Sequence, residues 1–274
     1  MTTSSDPVVI SVLIRTFNSA KTLDQVLSRL VLKKDEEYIV VDSGSTDSTL
    51  AVAESHGARI IRAAGPFNYS KSLNLGFEAA RNPWVLVISS HSISVVSDLL
   101  GVFRNAAQTF PANVAAGYGP NSLNGRGPFN DDKVRFYSAE DYMNIYPFCG
   151  NANTLYRRKA WEARPFDEGI RTGEDKAWVV EAAKRGYDFT FVSGALTLNL
   201  TQYPLRYMFM KGYSDRRALP YKRMSVLELA LSLGSLAKKF LRGGMPFGNW
   251  IRYSAHIGGQ FFASFRDQNN TPGY

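Results

Sequence analysis

Residues 39–47 read Ile-Val-Val-Asp-Ser-Gly-Ser-Thr-Asp, and this stretch decides the fold that the sequence predicts. An apolar, β-branched run ends in a carboxylate, and a glycine then lets the chain turn into a helix over residues 46–55. The same alternation is found on both sides, with strands at 8–14, 59–62, 84–88 and 114–118 and helices at 20–30, 70–81 and 97–109. It predicts an α/β fold, Rossmann-like, with a mainly parallel central sheet flanked by helices.

The composition agrees with such a fold. The chain has 274 residues, of which 45% are hydrophobic and 20% charged, and this balance excludes a disordered or fibrous protein. A single cysteine, Cys149, excludes an internal disulfide framework and favours a reducing, cytoplasmic location. Neither an apolar run of membrane-spanning length nor a secretory signal is expected.

The second half of the chain is more mixed, with strands predicted at 153–157, 189–192 and 196–200 and a helix at 174–185. From residue 203 onward the pattern is helical. We therefore expect a domain over residues 1–200, with halves at about 1–118 and 119–200, followed by a helical extension over 201–274.

The net charge of +8 lies entirely in that extension. Residues 201–274 carry 11 basic and 3 acidic side chains, whereas residues 1–200 carry 21 of each. A localised basic surface attracts phosphorylated substrates, nucleic acid or acidic lipid, although a solvated helical face is an equally good interpretation. Nucleic acid is not favoured, because the region has no recognisable nucleic-acid-binding motif.

An apolar stripe runs along one predicted helix of the extension, formed by Leu229, Leu233, Leu236 and Phe240. Lys238, Lys239 and Arg242 lie beside it, so the helix could lie in an anionic membrane surface. Alternatively, the stripe packs on the preceding domain or forms a homodimer with a second copy.

Ligands of open parallel sheets bind beyond the carboxyl ends of the strands. The polar residues that follow the first, second and fourth strands are Thr16, Asn18, Asp42, Ser43, Ser90 and His91. Some of these positions have simpler explanations. Asn18 could cap a helix, Ser45 and Asp47 fit a helix start, and a lone histidine is more often structural than functional.

Glu174 and Asp175 open the last predicted helix of the first domain. Thr172 and Asp175 have the spacing of a capping box, which is a sufficient structural explanation. Alternatively, one of the two acids is a general base, since a carboxylate at a helix N-terminus stays ionised at neutral pH. Asn151 and Asn153 could bind sugar hydroxyls, or could equally be turn residues.

Together these segments resemble the family 2 glycosyltransferases, which have the GT-A fold. The resemblance covers about residues 8–195 and is carried by residues 12–18, 39–49, 70–80 with their Leu-Asn-Leu-Gly, 85–92, and Gly-Glu-Asp at 173–175. It implies a nucleotide-sugar donor, with Thr16 and Asp42 at its base and ribose and Lys71 at its diphosphate. Asn18, Ser43 and Ser90 would complete the donor site. Asp175 would be the catalytic base, with Glu174 beside it, and Asn151 and Asn153 would contact the acceptor.

One departure from the family pattern concerns the metal. Where the family usually has Asp-x-Asp, this chain has Ser89-Ser90-His91, and the late histidine that is sometimes a further ligand is replaced by Asn199 or a neighbour. Carboxylates are the normal ligands of Mg²⁺ and Mn²⁺. Two hypotheses remain open: weak Mn²⁺ dependence with His91 as the protein ligand, or transfer that needs no metal.

The resemblance therefore predicts an inverting, hexosyltransferase-type enzyme of class EC 2.4. It would move a sugar from a nucleotide-sugar donor, a UDP-sugar being favoured, to a hydroxyl of a glycan or lipid-linked acceptor. Bacterial surface polysaccharide or glycolipid assembly, at the inner face of the plasma membrane, is the expected setting. The alternative is a non-catalytic member of the same fold that binds a nucleotide or glycan.

Overall fold

The structure is a computed structural model that describes residues 8–122, 131–144, 150–170, 173–201, 204–217, 225–241 and 247–263. Within these ranges the strands are β1 (Ile10–Thr16), β2 (Glu37–Asp42), β3 (Arg59–Arg62), β4 (Trp84–Ser89), β5 (Ser92–Ser94), β6 (Val114–Tyr118), β7 (Asn121–Ser122), β8 (Val134–Tyr137), β9 (Asn153–Arg157), β10 (Asp188–Val192) and β11 (Thr197–Asn199). The helices are α1 (Ala20–Leu27), α2 (Thr49–Ser55), α3 (Tyr69–Ala79), α4 (Leu99–Gln108), α5 (Ala139–Asn144), α6 (Arg158–Ala163), α7 (Glu174–Lys184), α8 (Leu205–Arg217), α9 (Val226–Leu241) and α10 (Phe247–Ala263).

The central sheet has eight strands in the order β3-β2-β1-β4-β9-β6-β10-β8. The run from β3 to β4 is parallel throughout, as is the β6–β10 pair, whereas β9 and β8 are antiparallel to their neighbours. This confirms the predicted α/β class and the mainly parallel sheet.

The sheet is buried on both faces because the strands are apolar on both faces. In β1, Val12 and Ile14 point into one hydrophobic core, which contains α1 and α4 residues, while Leu13 points into the other. The second core is rich in aromatic rings, including Phe77, whose ring stacks on that of Trp161 with centroids 5.0 Å apart.

Helix α3 lies very close to the sheet, and its Leu-Asn-Leu-Gly segment explains why. A Cβ at Gly76 would stand 2.1 Å from the Leu13 side chain, so only glycine allows this approach of the helix to β1.

The sequence missed five short elements: β5, β7, β8, α5 and α6. Strand β5 pairs with β11, and β11 pairs with β7, to form a separate three-stranded sheet. Helix α2 begins at Thr49 rather than at residue 46, because the preceding residues are used in loop contacts described below.

The chain divides into two compact units, residues 1–169 with 178–200, and residues 170–177 with 201–274. The first unit contains both sheets. In the second unit, α10 packs against α8 and α9. The rings of Phe209 and Tyr213 on α8 lie 6.2 and 6.3 Å from that of Phe262 on α10, and the His256 ring bonds to the Met208 carbonyl at 3.3 Å. Among the residues described, no helix is both long enough and apolar enough to cross a bilayer.

Candidate functional site

The ends of β1 and β2 form one edge of the sheet in the first unit. Thr16 and Asp42 are partners in the parallel register, and the Ser43 N–H donates to the Thr16 carbonyl at 3.0 Å. The hydroxyl oxygens of Thr16 and Ser43 are buried and make no hydrogen bond to any described residue. A buried hydroxyl without a partner costs about 1–3 kcal/mol, and a polar ligand at this edge could supply a partner to each of these two.

Asp42 has a structural role that the sequence did not reveal. Its Oδ2 accepts from the N–H groups of Gly44 and Ser45 at 2.9 and 3.0 Å, and its Oδ1 accepts from the Ser45 hydroxyl. Gly44 adopts φ +95° to make this turn. A carboxylate has about four lone-pair positions, so one remains for a ligand N–H or hydroxyl. Ser45 caps no helix, contrary to expectation.

Asn18 joins the loop after β1 to the loop after β2. Its Oδ1 accepts from the N–H groups of Thr46 and Asp47 at 2.8 and 3.4 Å, and its own N–H donates to the Ser45 hydroxyl at 2.9 Å. Asn18 does not cap α1, and its side-chain oxygen is already engaged with protein atoms. Asp47 precedes α2 and does not lie in its first turn. Its carboxylate accepts from the Thr49 N–H at 3.0 Å. Asn18 therefore holds the loop after β1 against the loop after β2.

The residues after β4 lie beside the same edge. The Ser90 hydroxyl donates to that of Ser19 at 3.2 Å, which links the end of β4 to the loop after β1. The His91 carbonyl accepts from the Leu200 N–H at 2.8 Å, and the neighbouring Ser92 pairs with Asn199 across β5 and β11. The predicted replacement of the family's late histidine therefore lies next to the Ser-Ser-His segment.

Arg15 is a charged neighbour of His91 to which the sequence assigned no role. Burial lowers the pKa of His91, and the Arg15 guanidinium lowers it further. The guanidinium carbon of Arg15 lies 4.8 Å from the centre of the Tyr69 ring, and its Nη1 donates to the Tyr69 carbonyl at 3.3 Å. Burial and the neighbouring Arg15 cation thus both disfavour the protonated imidazole of His91.

These donors do not fit a divalent metal. In the described ranges there is no group of three or more His, Cys, Asp or Glu side chains that could hold an ion. The segment that replaces Asp-x-Asp offers two serine hydroxyls and one imidazole next to a guanidinium, whereas Mg²⁺ and Mn²⁺ prefer carboxylates.

Lys71 lies in the first turn of α3, where its N–H donates to the Asn68 side chain, the N-cap of the helix, at 3.0 Å. Its ammonium group donates to the Ala64 carbonyl at 3.0 Å. The ammonium therefore lies over the loop between β3 and α3.

Asn151 and Asn153 lie inside the protein rather than on an open turn, with exposed fractions of 5% and 1%. The Asn151 side chain accepts from the Tyr156 hydroxyl at 2.8 Å, and the Asn153 Nδ2 donates to the Ala195 carbonyl. Asn153 also pairs with Ile88 of β4 in the sheet. These contacts hold β9 in place, while the Asn153 Oδ1 is buried and has no hydrogen-bond partner among the described residues. The acceptor-binding role of both residues stays a prediction.

Glu174 and Asp175 form the first turn of α7, in the second unit. Gly173 before them has φ +78° and its carbonyl accepts from the Ala177 N–H at 3.0 Å. The Asp175 Oδ1 accepts from the Lys176 N–H at 2.8 Å, and Glu174 is only 6% exposed. Both acids lie at the positive end of the helix dipole. Thr172, the partner in the proposed capping box, lies outside the described residues.

Asn74 is a residue whose role the sequence analysis did not see. Its Nδ2 donates to the Phe166 carbonyl and to the Glu168 carboxylate at 2.9 and 3.1 Å. Its Oδ1 accepts from the Trp161 indole and the Phe166 N–H, both at 3.0 Å. All four hydrogen-bonding positions of this buried amide are therefore used. In the sequence, a polar residue between two leucines of a predicted helix was the feature that could have indicated a buried, hydrogen-bonded amide.

An α/β sheet of this order, with an antiparallel strand inserted after β4, is that of the GT-A glycosyltransferases. The family model for Glycosyl transferase family 2 matches residues 11–164. The chain belongs to this family, as the sequence resemblance predicted.

Individual relatives agree with that class. The chain is 33% identical over 105 residues to a cholesterol galactosyltransferase from Borreliella burgdorferi, a match that covers 36% of this chain and 29% of that relative. The chain thus spans less than a third of the length of this curated relative.

Solved structures share the fold. A mannosyltransferase from Pyrobaculum calidifontis, in complex with GDP-Man and Mn²⁺, has a TM-score of 0.58 at 15% identity, over 91% of this chain and 68% of that one. Glucosyl-3-phosphoglycerate synthase from Mycobacterium tuberculosis, in complex with Mg²⁺ and UDP, has a TM-score of 0.58 at 18% identity, over 77% and 78%. Both are glycosyltransferases, the class of enzyme that the sequence predicted.

Proposed function

We propose that this protein is an inverting glycosyltransferase that takes a sugar from a nucleotide-sugar donor, with a UDP-sugar favoured. The observation that carries the proposal is the pair of unpaired hydroxyls, Thr16 and Ser43, on either side of Asp42 at the joined ends of β1 and β2. Base and ribose offer the donors and acceptors that these groups lack. The family model covers this edge, and the two solved neighbours carry GDP-Man and UDP.

The proposed reaction is a single displacement. Asp175, with Glu174 beside it, takes the proton from an acceptor hydroxyl, whose oxygen attacks the anomeric carbon of the sugar. The bond from that carbon to the diphosphate breaks, and the nucleoside diphosphate leaves with the electron pair. Positive charge must stabilise the leaving diphosphate, and Lys71 and Arg15 are the residues we propose for this.

The acceptor we propose is a glycan or a lipid-linked hydroxyl in bacterial surface polysaccharide or glycolipid assembly. The name of the galactosyltransferase relative supports the lipid class. We place this reaction at the cytoplasmic face of the plasma membrane. The second candidate, a non-catalytic nucleotide- or glycan-binding member, predicts the same binding without turnover.

Nucleotide binding at the β1–β2 edge is tested with the wild type and two variants, Thr16→Val and Ser43→Ala. Nucleoside diphosphates are expected to raise the melting temperature of the wild type, because a ligand that binds only the folded state stabilises it. Each variant loses one hydrogen bond to the ligand, so its dissociation constant is expected to rise about 3–10-fold.

Thr190→Val is the matched control, since Thr190 also has a buried, unpaired hydroxyl but lies on β10, away from this edge. Its affinity for nucleotide is expected to equal that of the wild type. Equal losses in all three variants, or no response to any nucleoside diphosphate, would remove the proposed edge site.

The side chains around His91 also predict that nucleotide binding does not depend on a divalent metal. The dissociation constant of UDP, measured by calorimetry, is expected to change less than about threefold between EDTA and Mn²⁺, because protein cations rather than a metal face the diphosphate. His91→Ala is expected to leave this comparison unchanged. If EDTA instead weakens UDP binding tenfold or more relative to Mn²⁺, and His91→Ala removes this difference, the hypothesis of a histidine-bound Mn²⁺ is correct.

A further inference from the structure

Helix α9 has an exposed apolar face. Leu227, Leu231 and Leu241 are 68%, 64% and 81% exposed, and their spacing of 4 and 10 residues places them on one side of the helix. Gly234 and Lys238 fall on the same side and are exposed as well. This set of five residues is called the outer face of α9.

The outer face is opposite to the stripe that the sequence analysis singled out. Leu236 of that stripe is 7% exposed and Leu229 is half-buried, while α9 packs on α10. The side chain of Phe240, the last member of the stripe, lies outside the described residues. Leu233, the remaining member of the stripe, is 36% exposed. The packing of α9 on α10 agrees with the burial of Leu236, and the expectation that the stripe faces a membrane stays a prediction.

We propose that the outer face of α9 docks on an anionic lipid surface. Three exposed leucines with a lysine among them have the pattern of an interfacial helix, whose apolar side chains enter the acyl boundary while the long basic side chain reaches the headgroups. The segment containing α9 carries the whole +8 excess of the chain.

Charge decides between a lipid surface and a second copy of the chain. Two copies meeting through this segment would bring like charges together, which opposes association. An anionic leaflet attracts juxtaposed basic residues at about 1 kcal/mol for each one. The proposal does not depend on the donor site, because it uses only the exposed face of α9 and the charge of residues 201–274.

The test is sedimentation of the full chain with lipid vesicles. Vesicles of phosphatidylcholine with about 30% phosphatidylglycerol are expected to bind the wild type, and vesicles of phosphatidylcholine alone are expected to bind it at least tenfold more weakly. The double variant Leu227→Ser/Leu231→Ser is expected to lose at least tenfold of the binding to anionic vesicles. Val31→Ser, which removes an apolar side chain that is 61% exposed in the first unit, is the matched control and keeps full binding.

Two results would overturn the proposal: no binding to anionic vesicles, or binding that the double variant retains. Light scattering gives a third, namely a wild-type dimer that the double variant converts to a monomer, since the outer face would then be an interface between copies. In every case nucleotide binding by the double variant stays that of the wild type, so a failure here is separate from a failure of the proposed function.

Discussion

Asp175→Asn is expected to lower the rate of nucleoside diphosphate release from the donor by a factor of about 10²–10⁴, the usual contribution of a general base. Asparagine has nearly the shape of aspartate and can still accept from the Lys176 N–H, as the carboxylate does at 2.8 Å, but it cannot take a proton. The affinity for nucleotide, measured by thermal shift, is expected to stay within about twofold of the wild type. The rate is measured at saturating donor with a hydroxyl acceptor or with water.

Glu181→Gln is the matched control for this substitution. Glu181 lies on the same helix, and its carboxylate accepts from the Lys184 ammonium at 2.7 Å. Its replacement also neutralises one acid of α7 but is expected to leave turnover unchanged. If both variants keep the wild-type rate, Asp175 is not the base. If no variant and not even the wild type releases nucleoside diphosphate, the non-catalytic alternative is the correct one.

Asn74→Leu is expected to destabilise the protein by about 3–9 kcal/mol, a large part of the 5–15 kcal/mol typical of a folded domain. Leucine has a similar volume but removes both donors and the acceptor. The Trp161 indole, the Phe166 N–H and the Phe166 carbonyl then lose this partner, and each orphaned group costs about 1–3 kcal/mol. Urea denaturation of the two proteins measures the difference.

Asn113→Leu provides the comparison, because Asn113 is exposed and its side chain makes one bond, to Asp188 at 2.7 Å. Its cost is expected to be below about 1 kcal/mol. A similar, small cost at both positions would show that the Asn74 network contributes nothing beyond an ordinary surface bond.

The Asn74 network also has an expected effect on turnover. The segment that it holds ends at Glu168, and the Arg164 carbonyl at its start accepts from the Trp178 indole at 2.6 Å. Trp178 belongs to α7, the helix that Glu174 and Asp175 open. Asn74→Leu is therefore expected to lower the turnover number more than the nucleotide affinity, when both are measured at a temperature where the variant is folded.

The sequence predicted the parallel half of the sheet well, because an apolar run such as Val85–Ile88 between polar ends has few alternatives to a buried strand. The strand at 153–157 was predicted with the correct bounds, but its antiparallel insertion between β4 and β6 was not. Pairing direction depends on which strands meet in space, and a single strand's pattern does not encode it. Strand β8, Val-Arg-Phe-Tyr, lacks any such apolar run and was missed.

The candidate site shows the same limit. That Thr16 and Asp42 lie side by side follows from neighbouring parallel strands, and the sequence predicted it. The engagement of Asn18 with Thr46 depends on a contact between loops 28 residues apart in the chain. The burial of Asn151 and Asn153 depends on the strands packed around β9. From the sequence alone, such side chains cannot be distinguished from polar groups that are available to a ligand.

The fastening of the β1 and β2 loops to each other by Asn18 affects how a nucleotide would be received. Because Thr46, Asp47 and Ser45 are held before any ligand arrives, little ordering entropy is spent when one binds. Because these loops are rigid, they would not change conformation to suit different sugars on the donor. Other parts of the chain would then select the sugar. Those parts could change during evolution while the nucleotide-binding loops stayed the same.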